Sequence, residues 1–120
     1  MDTNNFSDPI VVLMTAANGE EAARLADMLV GAQLAACVQI LPGIESVYRW
    51  QGKIERQAEV LLIAKTARSQ FEQLEHEVRE LHSYDTPEIV ALPITAGSAP
   101  YLKWLSENLL SVRRAKAAGV

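Results

Sequence analysis

A single cysteine, Cys37, excludes an internal disulfide, and two histidines, His76 and His82, offer little from which to build a metal cage. With no cysteine pair to oxidise, a reducing, cytoplasmic setting is the expectation. No apolar stretch approaches the roughly 20 residues that a membrane helix needs, so no membrane partner is expected. The start, Met1-Asp2-Thr3-Asn4-Asn5, lacks the basic residues and apolar run of a secretory leader. Basic residues are in the minority: 11 Lys and Arg against 15 Asp and Glu leave a net charge of −4. That balance is wrong for gripping phosphate backbones, and no nucleic-acid partner is expected. The one basic cluster, Arg113-Arg114-Lys116, reads as a solvated end. Also missing are a glycine-rich phosphate loop, a nucleophile–base pairing and a metalloprotease motif, so no enzymatic activity is expected.

What is there is ordinary globular composition, 49% hydrophobic and 22% charged, in 120 residues. That is enough chain for one core and not for two. Residues 9–112 are expected to form the domain, with residues 1–8 a flexible extension and 113–120 a flexible tail.

Ile10-Val11-Val12-Leu13-Met14 reads as a buried central strand. Asn18 is placed to cap a helix, with Glu21 reaching back to it, and Ala22, Leu25, Ala26 and Leu29 form its apolar face to about Leu34. Ala35 to Leu41 and Ile44 to Trp50 read as one strand interrupted at Pro42-Gly43 by a bulge, with Ile44, Tyr48 and Trp50 on one face. Gln51-Gly52 is the turn, and Lys53 to Thr66 is the return strand, apolar on both faces from Val60 to Ala64. Ser69 to Glu72 reads as a second capping box, followed by Phe71, Leu74, Val78 and Leu81 at helical spacing. A loop from His82 to Pro87, a strand from Glu88 to Ile94 and a helix opened by Ser98-Ala99-Pro100 complete the chain.

The order β-α-β-β-α-β-α predicts an α+β fold. Its first six elements are the split βαβ pattern of ferredoxin-like domains: an antiparallel sheet with both helices on one face, plus an extra C-terminal helix. A strand from Lys53 to Thr66 spans roughly 45 Å, against about 35 Å for a compact globule of this length. The hairpin therefore overhangs its own domain, and assembly of several copies is the simplest cover for its edges and aromatics.

Ala35-Ala36-Cys37-Val38, Tyr48-Arg49-Trp50, the Glu59 to Thr66 strand, His82 to Ile94 and Tyr101-Leu102-Lys103-Trp104-Leu105, taken in order, resemble the CutA family of divalent-cation tolerance proteins. The resemblance implies a ferredoxin-like homotrimer with hairpins packed between subunits. It implies a role in tolerance of copper and other divalent metals, copper binding, and a likeness to trimeric PII signalling proteins. It supplies no reaction. Ser83 stands where the family usually has proline after the loop histidine, and Gln39 where it commonly has asparagine.

Two residues are candidates for metal. Cys37 is the obvious candidate, a soft thiolate suited to Cu(I), though a free cysteine in an apolar strand is often just small and buried. His82 is either its partner, from the same or a neighbouring subunit, or a histidine answering the C-terminal end of a helix. Tyr48, Trp50, Lys65, Tyr84 and Glu88 are candidates for a small-ligand pocket between subunits. Lys65 and Glu88 lie in or beside apolar strands, where a mutual pair or a shared ligand would satisfy both charges. His76 reads as a surface residue and Asp85 as a turn former. The expected function is a trimeric metal-tolerance protein that binds metal weakly or transiently. The alternative is a PII-like module that binds a small ligand between subunits.

Overall fold

The computed structural model describes residues 8–110. The expected flexible ends, and the basic cluster near the C-terminus, fall outside the described residues except for Asp8. The carbonyl of Asp8 accepts a hydrogen bond from the Arg68 amide at 2.9 Å, which ties it to the sheet.

The elements are β1 (Pro9–Ala16), α1 (Gly19–Gly31), β2 (Cys37–Trp50), β3 (Lys53–Ala67), α2 (Phe71–Leu81), β4 (Ile89–Pro93) and α3 (Ala99–Glu107). The four strands form one antiparallel sheet in the order β2-β3-β1-β4. This is the ferredoxin-like arrangement, with β1 and β3 central.

The sheet has two unlike faces, because successive side chains alternate across it. Ile10, Val12, Met14 and Ala16 of β1 and Val60, Leu62 and Ala64 of β3 pack in the core with Ala22, Leu25 and Leu29 of α1 and Leu74 and Val78 of α2. Both helices therefore cover the even-numbered face of the central strands. Neither α1 nor α2 covers the odd-numbered face. Val11, Leu13, Leu61 and Ile63 there are half-buried, and Leu41, Val90 and Leu92 are exposed. A smaller cluster of Ala36, Ala67, Leu105 and Leu109 seats α3 at one end of the sheet.

α1 stops at Gly31, three residues earlier than its apolar pattern predicts, because Gln33 takes a left-handed turn (φ 59°) that sends the chain toward β2. The predicted second capping box is replaced by a 3₁₀ turn over Arg68–Gln70, which puts Gln70, not Ser69, at the start of α2.

The β2–β3 hairpin is continuous, with one bulge between Leu41 and Ile44 and Gly43 at φ 81°. Leu41 pairs with Leu61 but Ile44 pairs with Glu59, so the bulge inserts one extra residue into β2. Before it, odd residues of β2 lie on the open face; after it, Ile44, Ser46, Tyr48 and Trp50 do. The tip turns through Gln51 (φ 51°) and Gly52 (φ 81°), both left-handed as a two-residue hairpin turn demands. The molecule measures 49 × 34 × 25 Å, an elongation that matches the predicted overhang.

Candidate functional site

The site begins with a buried carboxylate at the start of α1. Asn18 Oδ1 accepts from the Glu21 amide at 2.9 Å, the expected helix cap. Glu21 reaches back one residue further than a capping box does, accepting from the Ala17 amide at 2.8 Å. Its other oxygen accepts from the Ser83 amide at 2.6 Å, which pins the loop after α2 to the start of α1. Burial opposes ionisation of Glu21, yet the hydrogen bonds from Ala17 and Ser83 hold its carboxyl below the usual carboxylate range.

His82 lies in the same knot, with its side chain fully buried. Its Nδ1 accepts from the Tyr84 amide at 3.0 Å, and its Nε2 sits 2.7 Å from the Thr15 carbonyl. An acceptor at Nδ1 and a carbonyl at Nε2 assign the neutral tautomer with the proton on Nε2. Both ring nitrogens are thereby engaged within the chain. The ring also packs against Tyr84, centroids 4.8 Å apart.

Thus held, Tyr84 points its hydroxyl at Glu59 and donates to Oε2 at 2.7 Å. Ser46 Oγ donates to the other oxygen of Glu59 at 2.6 Å. Glu59 is only 7% exposed, a carboxylate sunk in the sheet with both oxygens accepting. Burial, and then the contact with Glu59, push the Tyr84 hydroxyl far above the ordinary tyrosine range, so it remains a neutral donor at physiological pH.

Around this pair opens a cavity of about 640 Å³ between the hairpin arm and the loop before β4. That is within the range of small-molecule sites. Tyr48, Trp50 and Tyr84 supply aromatic walls, Glu59 lies among the lining residues, and Asp85 and Glu88 complete the acidic side. Tyr48 donates to Gln57 Oε1 at 2.9 Å across the arm. Four of the five predicted ligand residues, Tyr48, Trp50, Tyr84 and Glu88, therefore meet at one place.

Lys65 does not join them. It donates to Gln39 Oε1 at 2.9 Å, and its register partner on β1 is Val11. Glu88 precedes Ile89, which pairs with Met14, and is exposed. The two charges are separated along the sheet and each reaches solvent or a neutral partner, so the predicted mutual pair does not form within the chain. Cys37 is likewise half-buried on the open face, opposite Lys65. The strand position held by His82, Thr15, pairs with Leu61, four residues along β3 from Lys65. At about 3.3 Å per residue, that puts Cys37 and His82 at least about 13 Å apart in one chain. Among the described residues, no three His, Cys, Asp or Glu side chains gather closely enough to hold a metal ion.

Glu59, Ser46 and Glu21 are the site residues that sequence reasoning missed. An acid directly ahead of the fully apolar run Val60 to Ala64 was the available signal for Glu59.

Comparison with known proteins gives a consistent result. The model of the CutA1 divalent ion tolerance protein family matches residues 10–108. The chain is 52% identical over 99 residues to the chloroplastic protein CutA of Arabidopsis thaliana, covering 82% of this chain and 54% of that protein, so it spans about half the length of that relative. It is 50% identical over 98 residues to the divalent-cation tolerance protein CutA of Thermus thermophilus, covering 82% of this chain and 95% of that one. The crystal structure of CutA1 from Oryza sativa superposes with a TM-score of 0.86 at 46% identity, covering 89% of this chain and 98% of that chain. A family model spanning nearly the whole described domain, with relatives about half identical to it, establishes that the chain belongs to the CutA1 family of divalent ion tolerance proteins.

Proposed function

We propose that the chain acts as a cytoplasmic homotrimer in tolerance of divalent metal ions, copper among them, and that it binds metal weakly at positions shared between subunits. The observation that carries this reading is the uncovered sheet face. Val11, Leu13, Leu61 and Ile63 lie there beside exposed Leu41, Val90 and Leu92, and the overhanging arm continues the same face. Burying such a face against further copies is favourable by roughly 25 cal/mol for each Å² of apolar surface removed from water. Cys37 lies on this face, so closure of an oligomer through it would bring several copies of this thiol toward a common centre. Copper titration of the wild type and Cys37→Ser under reducing conditions, alongside light scattering, tests the proposal. Three-chain mass and loss of copper binding in the variant are expected; unchanged binding removes Cys37, and a single-chain mass removes the shared site.

A second reading has its own support. The cavity around Glu59 and Tyr84 has the size and the mixture of aromatic walls with a few placed polar groups that suit a small ligand. On this reading the protein is a PII-like module that senses a small molecule at the arm. A thermal-shift screen tests it, because a ligand selective for the folded state raises apparent stability.

A further inference from the structure

We infer that His82 is a proton-operated latch on the loop before β4: a proton taken up at Nδ1 turns the ring from an acceptor for Tyr84 into a donor to Glu21, and Tyr84 is released. The latch lies inside one chain. The His82 side chain is fully buried by its own residues, so neither the assembly nor the ligand proposed above enters it. Histidine is the side chain whose ordinary change of charge falls between about pH 5 and 8. Nε2 already directs a proton at the Thr15 carbonyl, so a second proton has only Nδ1 to enter. There the Tyr84 amide donates at 3.0 Å, and two donors cannot share that contact. Glu21 Oε2 is the acceptor within reach, 3.6 Å from the same nitrogen. Nδ1 therefore has two alternative partners, and its own proton decides between them.

Glu21 can take the new bond without losing its old ones. Oε1 accepts from Ala17 and Oε2 from Ser83, and each carboxylate oxygen has room for two donors. Ser83 thus stays pinned while Tyr84 lets go, which makes the step between them the hinge. A carboxyl held below its usual range is still an anion when a histidine titrates, so Glu21 meets the imidazolium with a full charge. Glu75, His76, Arg79 and Glu80 of α2 and Asp85 of the loop share a polar recess with the ring, and Glu59 of β3 is reached through Tyr84. From β1 the ring meets the neutral Thr15 carbonyl. Arg79, the one fixed cation in this group, is paired with Glu75 at 3.7 Å. The surroundings of the ring are acidic on balance. What the latch controls is the tie to the arm. Tyr84 packs on the His82 ring and donates to Glu59 at 2.7 Å, which joins the loop to β3. A Tyr84 whose amide has lost its acceptor holds that bond less firmly.

The test follows the intact protein by nuclear magnetic resonance from about pH 8 to 5. Ring nitrogen shifts report the proton on His82 Nδ1. Amide exchange, taken relative to the unfolded chain at the same pH, reports the latch. As Nδ1 gains its proton, protection of the Tyr84 amide is expected to fall by about fivefold or more at the same midpoint. Ser83, and Leu62 in the core, should keep theirs. His82→Gln, which cannot take up the proton, should lose the step, and His76→Gln, at the other histidine, should keep it. If His82→Gln does not fold, the wild type and His76→Gln still decide the matter. A ring that stays neutral through the range, or a charged ring with Tyr84 still protected, overturns the latch. So does a loss of protection shared by Leu62, or a step that vanishes in His76→Gln or persists in His82→Gln.

Discussion

Glu21 is the residue through which the site depends on the fold, and Glu21→Gln isolates its contribution. The substitution keeps the side chain's shape but replaces one acceptor oxygen by an NH₂ group. Oε1 and Oε2 now serve the Ala17 and Ser83 amides at 2.8 and 2.6 Å, so one of these amides would face a donor. A hydrogen bond to a charged group is worth about 1.5–3 kcal/mol, and a buried donor left unpaired costs about 1–3 kcal/mol. The expected loss at pH 7 is therefore about 2–3 kcal/mol per chain. The pH dependence carries a second signature. The folded carboxyl titrates below its ordinary value of 4.5, so the unfolded state binds more protons in the window between the two. Its contribution is complete above pH 4.5 and disappears as pH falls through the lowered folded value. The gap between wild type and Glu21→Gln should accordingly close on acidification. Guanidinium unfolding at one fixed protein concentration, at pH 7 and in steps below 4.5, measures both. Amide hydrogen exchange at Ser83 should accelerate in parallel. Equal stability of the two proteins at pH 7, or a gap that stays constant on acidification, would refute the reasoning.

Three further outcomes are expected. On the proposed assembly through the uncovered face, Leu92→Glu at its exposed edge should yield single chains by light scattering, with the helical circular dichroism of the core retained. Gln51→Asn should stabilise the hairpin by a few tenths of a kcal/mol in denaturant midpoint, since asparagine tolerates the left-handed conformation at φ 51° better than glutamine. Thr66→Val should cost about 1–2 kcal/mol, because the Thr66 hydroxyl is fully buried and donates to the Leu34 carbonyl at 2.7 Å; an unchanged midpoint would mean that this carbonyl finds another donor.

Much of the fold was legible because it is written in local periods. The apolar spacing of α1, the proline at the start of α3 and the Pro42-Gly43 interruption each act within a few residues, and each appears where the pattern places it. The pocket was partly legible: aromatic residues on an overhanging arm and a tyrosine in a conspicuous loop proved to face one another. What could not be read was pairing across the chain. Glu59 and Ser46 meet only through hairpin register, and Glu21 and Ser83 are 62 positions apart. The pair argued for Lys65 and Glu88 does not close within one chain, because the two lie at different register positions of the sheet. Strand β4 is an edge strand with exposed side chains, so Glu88 needs no partner, and Lys65 finds Gln39 on the neighbouring strand. His82 does end α2, as expected, with its amide on the Val78 carbonyl, and its ring turns inward to the carbonyl of Thr15.

The bulge between Leu41 and Ile44 is also a phase setter for everything beyond it. If every residue there were kept but the bulge ironed out, with Pro42 and Gly43 each taking a regular ladder position, β2 beyond it would slip by one residue against β3. That slip would send Tyr48 and Trp50 to the opposite side and present Val47 and Arg49 on the face that carries Glu59. An aromatic, acidic recess would become one carrying its own guanidinium. A single-codon deletion at Pro42 or Gly43, by contrast, removes the extra residue and the bulge together and leaves Tyr48 and Trp50 on the recess side.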